Sequence, residues 1–188
     1  MKVTINANGK TVQVEISEGQ LKELGLVEQL KKLGLLEDKP RTGYEGREEC
    51  NNKKHYFVNT IDLVIEDENT VLFDQNRYDV GNYYSDKTIA ENNARADRLL
   101  RQLRQWQAQN DKPISMSDWK NDNISKYYVD YDCFHELFFV TYAVRRRSLN
   151  NIYFTSDEKA KEAIEVFRDE LLWYFTEYQQ RLDEEQGE

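Results

Sequence analysis

Apolar and polar residues alternate on both sides of a short turn near the start of the chain. Residues 3–7 and 12–16 carry the alternation, and the Asn-Gly dipeptide between them supplies the positive φ angles that a tight hairpin turn requires. Ser17 and Gln20 then have the spacing of a capping box, and apolar residues follow at helical intervals as far as Gly34. This pattern predicts an N-terminal β-hairpin followed by a helix.

The next stretch, residues 37–55, has no apolar period. Its sequence, EDKPRTGYEGREECNNKKH, contains a proline, two glycines and an Asn-Asn pair, which favour turns and irregular backbone. We therefore expect a linker or surface loop that separates the N-terminal hairpin and helix from the rest of the chain.

Two stretches of the remaining sequence resemble each other. Residues 55–59, HYFVN, reappear as residues 126–130, KYYVD, and residues 83–85, YYS, reappear as residues 153–155, YFT. Between these anchors, aromatic and β-branched segments alternate with turn residues, which predicts an antiparallel three-stranded meander in each copy. Duplication of one ancestral unit is the favoured explanation, and convergence of the two patterns is the alternative.

Each copy is predicted to end in a long amphipathic helix. Ser85 is the expected N-cap of the first helix, and Thr155 is that of the second, where Glu158 would complete a capping box. The apolar residues keep helical spacing in both helices. The expected core positions are Ile89, Ala90, Ala94, Leu99, Leu100, Leu103 and Trp106 in the first helix, and Ala160, Ile164, Phe167, Leu171, Tyr174, Phe175, Tyr178 and Leu182 in the second.

The sequence therefore predicts an α+β fold, in which an N-terminal β-hairpin plus helix precedes two repeated units of a three-strand meander and a long helix. The predicted boundaries are 1–36 for the hairpin and helix, 37–55 for the linker, 56–110 for the first repeat, 111–125 for a connector, 126–182 for the second repeat and 183–188 for a frayed tail.

Composition limits the classes of function. The formal net charge is -9, which disfavours long-range attraction of the whole protein to nucleic acid or to an anionic membrane. No apolar run approaches the roughly 18 residues that a membrane span needs, and the first residues lack the layout of a signal peptide. Cys50 and Cys133 are the two cysteines, so we expect reduced thiols and a cytoplasmic protein.

Clustered acidic residues are the first candidate for partner binding. Carboxylates on the first predicted meander could occupy the nucleic-acid channel of a partner protein, while charge that protects edge strands from aggregation is the alternative reading. The acidic candidates are Asp62, Glu66, Asp67, Glu68, Asp74 and Asp79.

A row of arginines is the second candidate. Cations recur every three residues along the first long helix, and a triplet follows a predicted strand in the second repeat. Together they predict a phosphate-binding patch if the fold brings them together, and intramolecular ion pairs are the alternative. The basic candidates are Arg95, Arg98, Arg101, Arg104, Arg145, Arg146 and Arg147.

Signals for catalysis are sparse. Asp130, Asp132 and Glu136 fall on one face of a predicted strand and could hold Mg²⁺ as in a metal-dependent nuclease, whereas Cys133 and His135 fall on the other face. Histidine occurs twice in the chain, and no zinc motif or phosphate-binding glycine loop is present. We predict no cofactor, no metal and no catalytic site.

Parts of the chain resemble a known class of proteins. The segments RYDVGNYYS at 77–85, AENNARADR at 90–98, NIYFTS at 151–156 and WYFTEY at 173–178 resemble small accessory proteins of phages and prophages of Gram-positive bacteria, over roughly residues 40 to 180. Some acidic proteins of this class are anti-CRISPR or other anti-defence inhibitors. The resemblance implies a non-enzymatic protein in the cytoplasm of a bacterial host that binds and inhibits a defence nuclease, most specifically Cas9. A nucleic-acid-binding module and a Mg²⁺-dependent nuclease are the alternatives, and a homodimer remains open.

Overall fold

A computed structural model of the chain describes residues 2–7, 10–15, 17, 19, 41–46, 54–67 and 71–184. The chain divides into two compact units, Met1–Pro40 and Arg41–Glu188. In the first unit, strand β1 (Lys2–Ala7) pairs antiparallel with β2 (Lys10–Glu15), and Ala7 lies opposite Lys10. The predicted N-terminal hairpin is confirmed, and the helix predicted to follow it lies mostly outside the described residues.

The second unit mixes strands and helices, which confirms the α+β class. In the described part of the chain, three two-stranded antiparallel sheets form, β1 with β2, β3 with β4, and β5 with β6. The elements of the second unit are β3 (His55–Val58), β4 (Val64–Asp67), α1 (Val71–Asp79), α2 (Lys87–Asn110), α3 (Met116–Lys120), β5 (Lys126–Asp132), β6 (Leu137–Ala143) and α4 (Asp157–Thr176).

Within the residues that the structure describes, the predicted three-strand meanders do not form. The expected third strands each make one isolated antiparallel bridge, Tyr84 with Tyr56 on β3 and Phe154 with Tyr127 on β5. The bridge joins the first strand of each hairpin, whereas a meander would extend the second. A helix begins three residues after each bridge, and the residues before it form a turn or irregular backbone, so neither bridge extends into a strand.

Helix α1 occupies a segment that was predicted to be a strand. Gly81, with φ of +72°, ends this helix in the left-handed conformation. Its N–H donates to the Tyr78 carbonyl at 3.0 Å, and the Asn82 N–H donates to the Arg77 carbonyl at 2.8 Å. This pair of bonds is a Schellman motif, which satisfies the last carbonyls of a helix. Gly81 therefore ends a helix, and the residues before it do not form the strand that their pattern predicted.

Helix α2 is the central element of the second unit. Its predicted apolar stripe is confirmed, because Ile89 and Ala90 are buried near its start and Leu99 and Leu103 are buried further along. The first pair joins a cluster with Tyr84, against which Tyr44, Tyr56, Val58, Val64 and Leu182 pack. The second pair joins a larger cluster that includes Phe154, Ala160, Ala163, Ile164 and Leu171.

Both long helices begin one residue later than predicted. The N-cap of α2 is Asp86, whose carboxylate accepts hydrogen bonds from the N–H groups of Thr88 and Ile89 at 2.9 and 3.1 Å. The N-cap of α4 is Ser156, whose hydroxyl accepts from the Lys159 N–H at 3.3 Å. The predicted capping box with Glu158 is therefore wrong, because Lys159 holds the third helical position.

The second long helix also ends earlier than predicted. Helix α4 stops at Thr176, so Tyr178 and Leu182 lie in a tail that crosses α2. The Tyr178 hydroxyl donates to Asn93 Oδ1 at 2.8 Å, and the Leu182 N–H donates to the Thr42 carbonyl at 3.0 Å. Residues 185–188 of the predicted frayed tail lie outside the described residues.

Part of the predicted linker is packed into the second unit. In residues 41–46, Gly43 is buried with φ of +91°, and its carbonyl accepts from the Ser85 N–H at 2.8 Å. The Glu45 carboxylate accepts hydrogen bonds from the Thr42 hydroxyl at 3.0 Å, from the Gly43 N–H at 3.2 Å and from the Ser85 hydroxyl. The segment therefore anchors the chain just before α2.

Candidate functional site

The loop between β3 and β4 is a tight turn built around Asn59. The Asn59 side-chain oxygen accepts hydrogen bonds from the N–H groups of Ile61 and Leu63, both at 3.0 Å, and the Asn59 N–H donates to the Leu63 carbonyl at 2.9 Å. Asp62 adopts φ of +61°, a left-handed conformation that Asp tolerates better than most residues. These bonds hold the loop in one conformation.

Three apolar side chains of this hairpin face solvent. Ile61 is 71 %, Leu63 is 55 % and Ile65 is 37 % exposed. Ile65 lies on β4 and Leu63 directly precedes the strand, so alternation places both on its outer side, and Ile61 lies in the turn before them. Val58 and Val64, on the inner face, pack against the cluster under α2. We call Ile61, Leu63 and Ile65 the hairpin surface.

Asp62 connects the hairpin surface to helix α2. Its carboxylate is 2.6 Å from an Arg101 guanidinium nitrogen and 3.3 Å from Arg98 Nε, and its carbonyl accepts a further bond from Arg98 at 3.4 Å. One carboxylate therefore joins two arginines of the predicted basic row. Because both arginine side chains are about half exposed, water screens these ion pairs and limits their contribution to stability.

The Asp62→Asn variant should be less stable than the wild type by about 1 kcal/mol or less, because it removes two screened ion pairs from a turn whose backbone bonds remain. Urea unfolding followed by tryptophan fluorescence measures the change. Asp79→Asn is the matched control, since Asp79 accepts a hydrogen bond from Gln75 on its own helix and contacts no arginine in the described residues. A loss of several kcal/mol in Asp62→Asn would contradict the small contribution expected here.

The other acidic candidates do not form one continuous acidic face. Glu66 on β4 pairs with Lys54 at 2.5 Å, and Asp74 is buried on α1 with Arg77 at 3.7 Å. Asp79 lies at the end of α1 and so is not on the hairpin. Asp67 ends β4, its side chain lies outside what the structure describes, and so does Glu68. Local basic residues neutralise much of the acidic character that the sequence indicated.

Most of the arginine row is also engaged within the chain. Arg95 makes a two-pronged contact with Glu170 on α4, at 2.9 and 3.1 Å, and its guanidinium lies 4.0 Å from the centre of the Trp173 ring. This contact, together with those of Arg98 and Arg101, leaves Arg104 as the member of the row with no ion pair to any described residue. The arginine row of α2 therefore connects this helix to α4 and to the β3–β4 hairpin.

The arginine triplet lies at the end of β6, beside an open cleft of about 490 Å³. Arg145 pairs with Asp122, and the Arg147 guanidinium lies 5.3 Å from the centre of the Trp119 ring. Arg146 lines the cleft and forms no ion pair with any residue the structure describes. Among the described residues, the ion pairs of the triplet and of the α2 row involve different carboxylates, and the joint patch stays a prediction.

The three strand carboxylates do not converge. The Asp132 carboxylate accepts from the N–H groups of Phe134 and His135 and from the His135 ring, and so holds the turn between β5 and β6. Hydrogen bonds from His135 lower the pKa of Asp132. Cys133 is exposed in this turn, and Glu136 follows with φ of +54°. No three His, Cys, Asp or Glu side chains of the described ranges are close enough together to hold a metal ion.

These features define an α+β protein with exposed apolar hairpins and internally paired charges. No protein-family model, curated protein or solved structure matches the chain. Within the described helices, none is both long enough and apolar enough to cross a membrane.

Sequence reasoning emphasised charge and missed the apolar hairpin surface. The signal was present in the pentapeptide IDLVI at residues 61–65, in which Ile61, Leu63 and Ile65 alternate with Asp62 and Val64. Alternation predicts two faces, yet it does not say which face meets solvent when both carry apolar residues. In the structure, Val64 packs against the buried residues of α2, so the side chains of Leu63 and Ile65 face solvent.

Proposed function

We propose that the chain is a non-enzymatic protein that binds a protein partner through the hairpin surface. The observation that carries this proposal is the exposure of Ile61, Leu63 and Ile65 on a turn held by the Asn59 hydrogen bonds. Apolar side chains presented on a rigid turn lose little conformational entropy on binding and bury apolar area at once. Such residues are suited to the centre of an interface.

The charges around the hairpin surface suit the rim of an interface. Arg98 and Arg101 lie beside Asp62, and Lys54 lies beside Glu66, so each carboxylate has a cation next to it. Interfaces combine an apolar centre with a polar rim that stays in contact with water. We therefore expect apolar contacts to supply most of the affinity, and salt to affect the association rate more than the affinity.

The proposed partner is a host defence nuclease that the chain inhibits, with the Cas9 effector as the most specific candidate. The resemblance of residues 77–85, 90–98, 151–156 and 173–178 to phage accessory proteins supports this choice. The net charge of -9 adds support, because a nuclease that holds nucleic acid presents a basic surface that attracts an acidic protein over long range.

A binding assay with two charged variants tests the role of the hairpin surface. The tagged chain should recover a type II effector nuclease from a bacterial lysate, with and without guide RNA, and Ile61→Asp and Leu63→Asp should each reduce recovery by about tenfold or more. Burying a carboxylate in an apolar contact costs more than removing the contact. Purified effector titrated against the variants gives the affinities.

Val166→Asp is the matched control, because Val166 is 58 % exposed on α4 and lies outside the hairpin. It should recover as much effector as the wild type. If the wild type recovers no effector, the proposed partner is wrong. If the hairpin variants bind as well as the wild type, the proposed surface is wrong.

The alternatives carry less support from the described contacts. Nucleic-acid binding would rely on arginines of which Arg95, Arg98, Arg101 and Arg145 already pair with carboxylates. Recovery of nucleic acid without effector in the same assay would favour this alternative. A Mg²⁺-dependent nuclease would need carboxylates that converge, and Asp132 is instead bonded within its own turn.

We also propose that the two halves of the second unit arose by duplication. Support comes from the two isolated bridges, because Tyr56 with Tyr84 and Tyr127 with Phe154 are the pairs that the sequence alignment makes equivalent. Each bridge precedes a long helix in the same way. Helix α1 interrupts the correspondence, because the second half has an irregular segment at that place.

A further inference from the structure

Strand β6 has an open edge. It pairs with β5 along its whole length, from Leu137 opposite Asp132 to Ala143 opposite Lys126. On the other side of β5, Phe154 makes its single bridge, so β6 is the outer strand. No residue of the described part of the chain donates to or accepts from the outer backbone edge of β6. An open edge presents unpaired N–H and carbonyl groups to any strand that approaches it.

The edge strand lacks the features that normally block such pairing. Its sequence, LFFVTYA, has no charge, no proline and no glycine over seven residues. Leu137 is 47 % and Tyr142 is 61 % exposed, and Phe134, in the preceding turn, is 87 % exposed. Proteins usually protect an edge with lysine, proline, a bulge or a short strand. An unprotected edge of this length is suited to adding a strand from another chain.

Opposite charges flank the two ends of the strand. Glu136 precedes β6 and Arg146 follows it, and neither forms an ion pair with any described residue. If two copies of β6 pair antiparallel about Val140, the middle residue, the turn before β6 in each copy, which carries Glu136, meets the segment after β6 in the other copy, which carries Arg146. Parallel pairing would place like charges together at both ends.

We propose that the outer edge of β6 binds the same edge of a second copy of this chain, in an antiparallel, twofold-symmetric dimer. A twofold interface must be complementary to itself, and an uncharged apolar strand with one acidic and one basic end meets that requirement. The dimer joins two β5–β6 hairpins into one four-stranded sheet. This surface is separate from the hairpin surface on β3 and β4, so the dimer does not depend on the proposed function.

Charge reversal tests both the edge and its orientation. Sedimentation equilibrium of the full chain should show a monomer-dimer equilibrium, and Glu136→Arg or Arg146→Glu should each raise the dissociation constant by about tenfold or more, because each places like charges together at both ends of the interface. An equimolar mixture of the two variants should dimerise as the wild type does. In the mixed dimer, the arginine introduced at position 136 of one chain faces the glutamate introduced at position 146 of the other, and the two wild-type residues meet at the opposite end.

Arg104→Glu is the control, because Arg104 is exposed on α2, distant in sequence from β6, and has no ion pair to a described residue. It should leave the dissociation constant unchanged, and near-ultraviolet circular dichroism should show that all variants keep the native fold. A wild-type chain that stays monomeric would overturn the proposal. So would a dimer that neither reversal weakens.

Discussion

Replacing Gly43 with alanine is expected to lower the free energy of unfolding of the second unit by about 3 kcal/mol. Gly43 has φ of +91°, where an L side chain strains the backbone, and a Cβ at this position would lie 2.8 Å from Ile89 Cγ1 and 3.1 Å from Ile89 Cβ. Ile89 is fully buried at the start of α2, so it cannot move aside without disturbing the cluster beneath it. Strain and overpacking therefore add.

Urea unfolding followed by tryptophan fluorescence measures this loss, because Trp106, Trp119 and Trp173 all lie in the second unit. Gly81→Ala separates the two causes. Gly81 also has a positive φ, of +72°, but a Cβ there meets nothing within 4 Å. It should cost about 1 kcal/mol, from backbone strain alone. Equal losses in the two variants would mean that the contact with Ile89 contributes nothing.

The sequence predicted the long helices well because their signals are local. Ile89, Leu99 and Leu103 recur at helical spacing, and burial follows that period. The predicted start of each helix was wrong by one residue. At both starts, two residues suited to capping are adjacent, Ser85 with Asp86 and Thr155 with Ser156. Ser85 bonds instead to Glu45, 40 residues away, and Thr155 bonds to Asp111, 44 residues away. The local sequence around a helix start does not show a hydrogen-bond partner that lies this far along the chain.

The roles of the charged residues were less predictable for the same reason. Asp62 lies 36 and 39 residues from the two arginines with which it pairs, and Arg95 lies 75 residues from Glu170. A sequence shows a row of cations and a cluster of carboxylates without showing that folding joins them. Once paired, these groups connect elements of the fold, and the exposed apolar side chains become the better indication of binding.

The packed segment before α2 also makes stability depend on pH. Burial opposes ionisation of Glu45, but hydrogen bonds from the Ser85 hydroxyl and from Thr42 outweigh it and lower the pKa of Glu45 from 4.5 to about 2. A carboxyl whose pKa is lower in the folded state stabilises that state fully above its unfolded pKa, and the contribution disappears as pH falls toward the folded value. The relevant window therefore runs from about pH 4.5 down to about pH 2.

The shift alone implies roughly 3 kcal/mol, and the 16 % exposure of the Glu45 side chain lets water reduce this, so we expect about 2 kcal/mol. Glu45→Gln should be less stable than the wild type by this amount at pH 7, and the difference should fall below about 1 kcal/mol by pH 3, because below about pH 4.5 this carboxylate takes up a proton in the unfolded wild type while it stays ionised in the folded state. Urea unfolding of both proteins across pH 3 to 7 gives the difference directly, which removes the effect of the other carboxylates that titrate in the same range. Glu177→Gln, an exposed change just after α4, should run parallel to the wild type. A difference between Glu45→Gln and the wild type that stays constant with pH would show that Glu45 acts through the shape of its side chain, and that its charge contributes nothing.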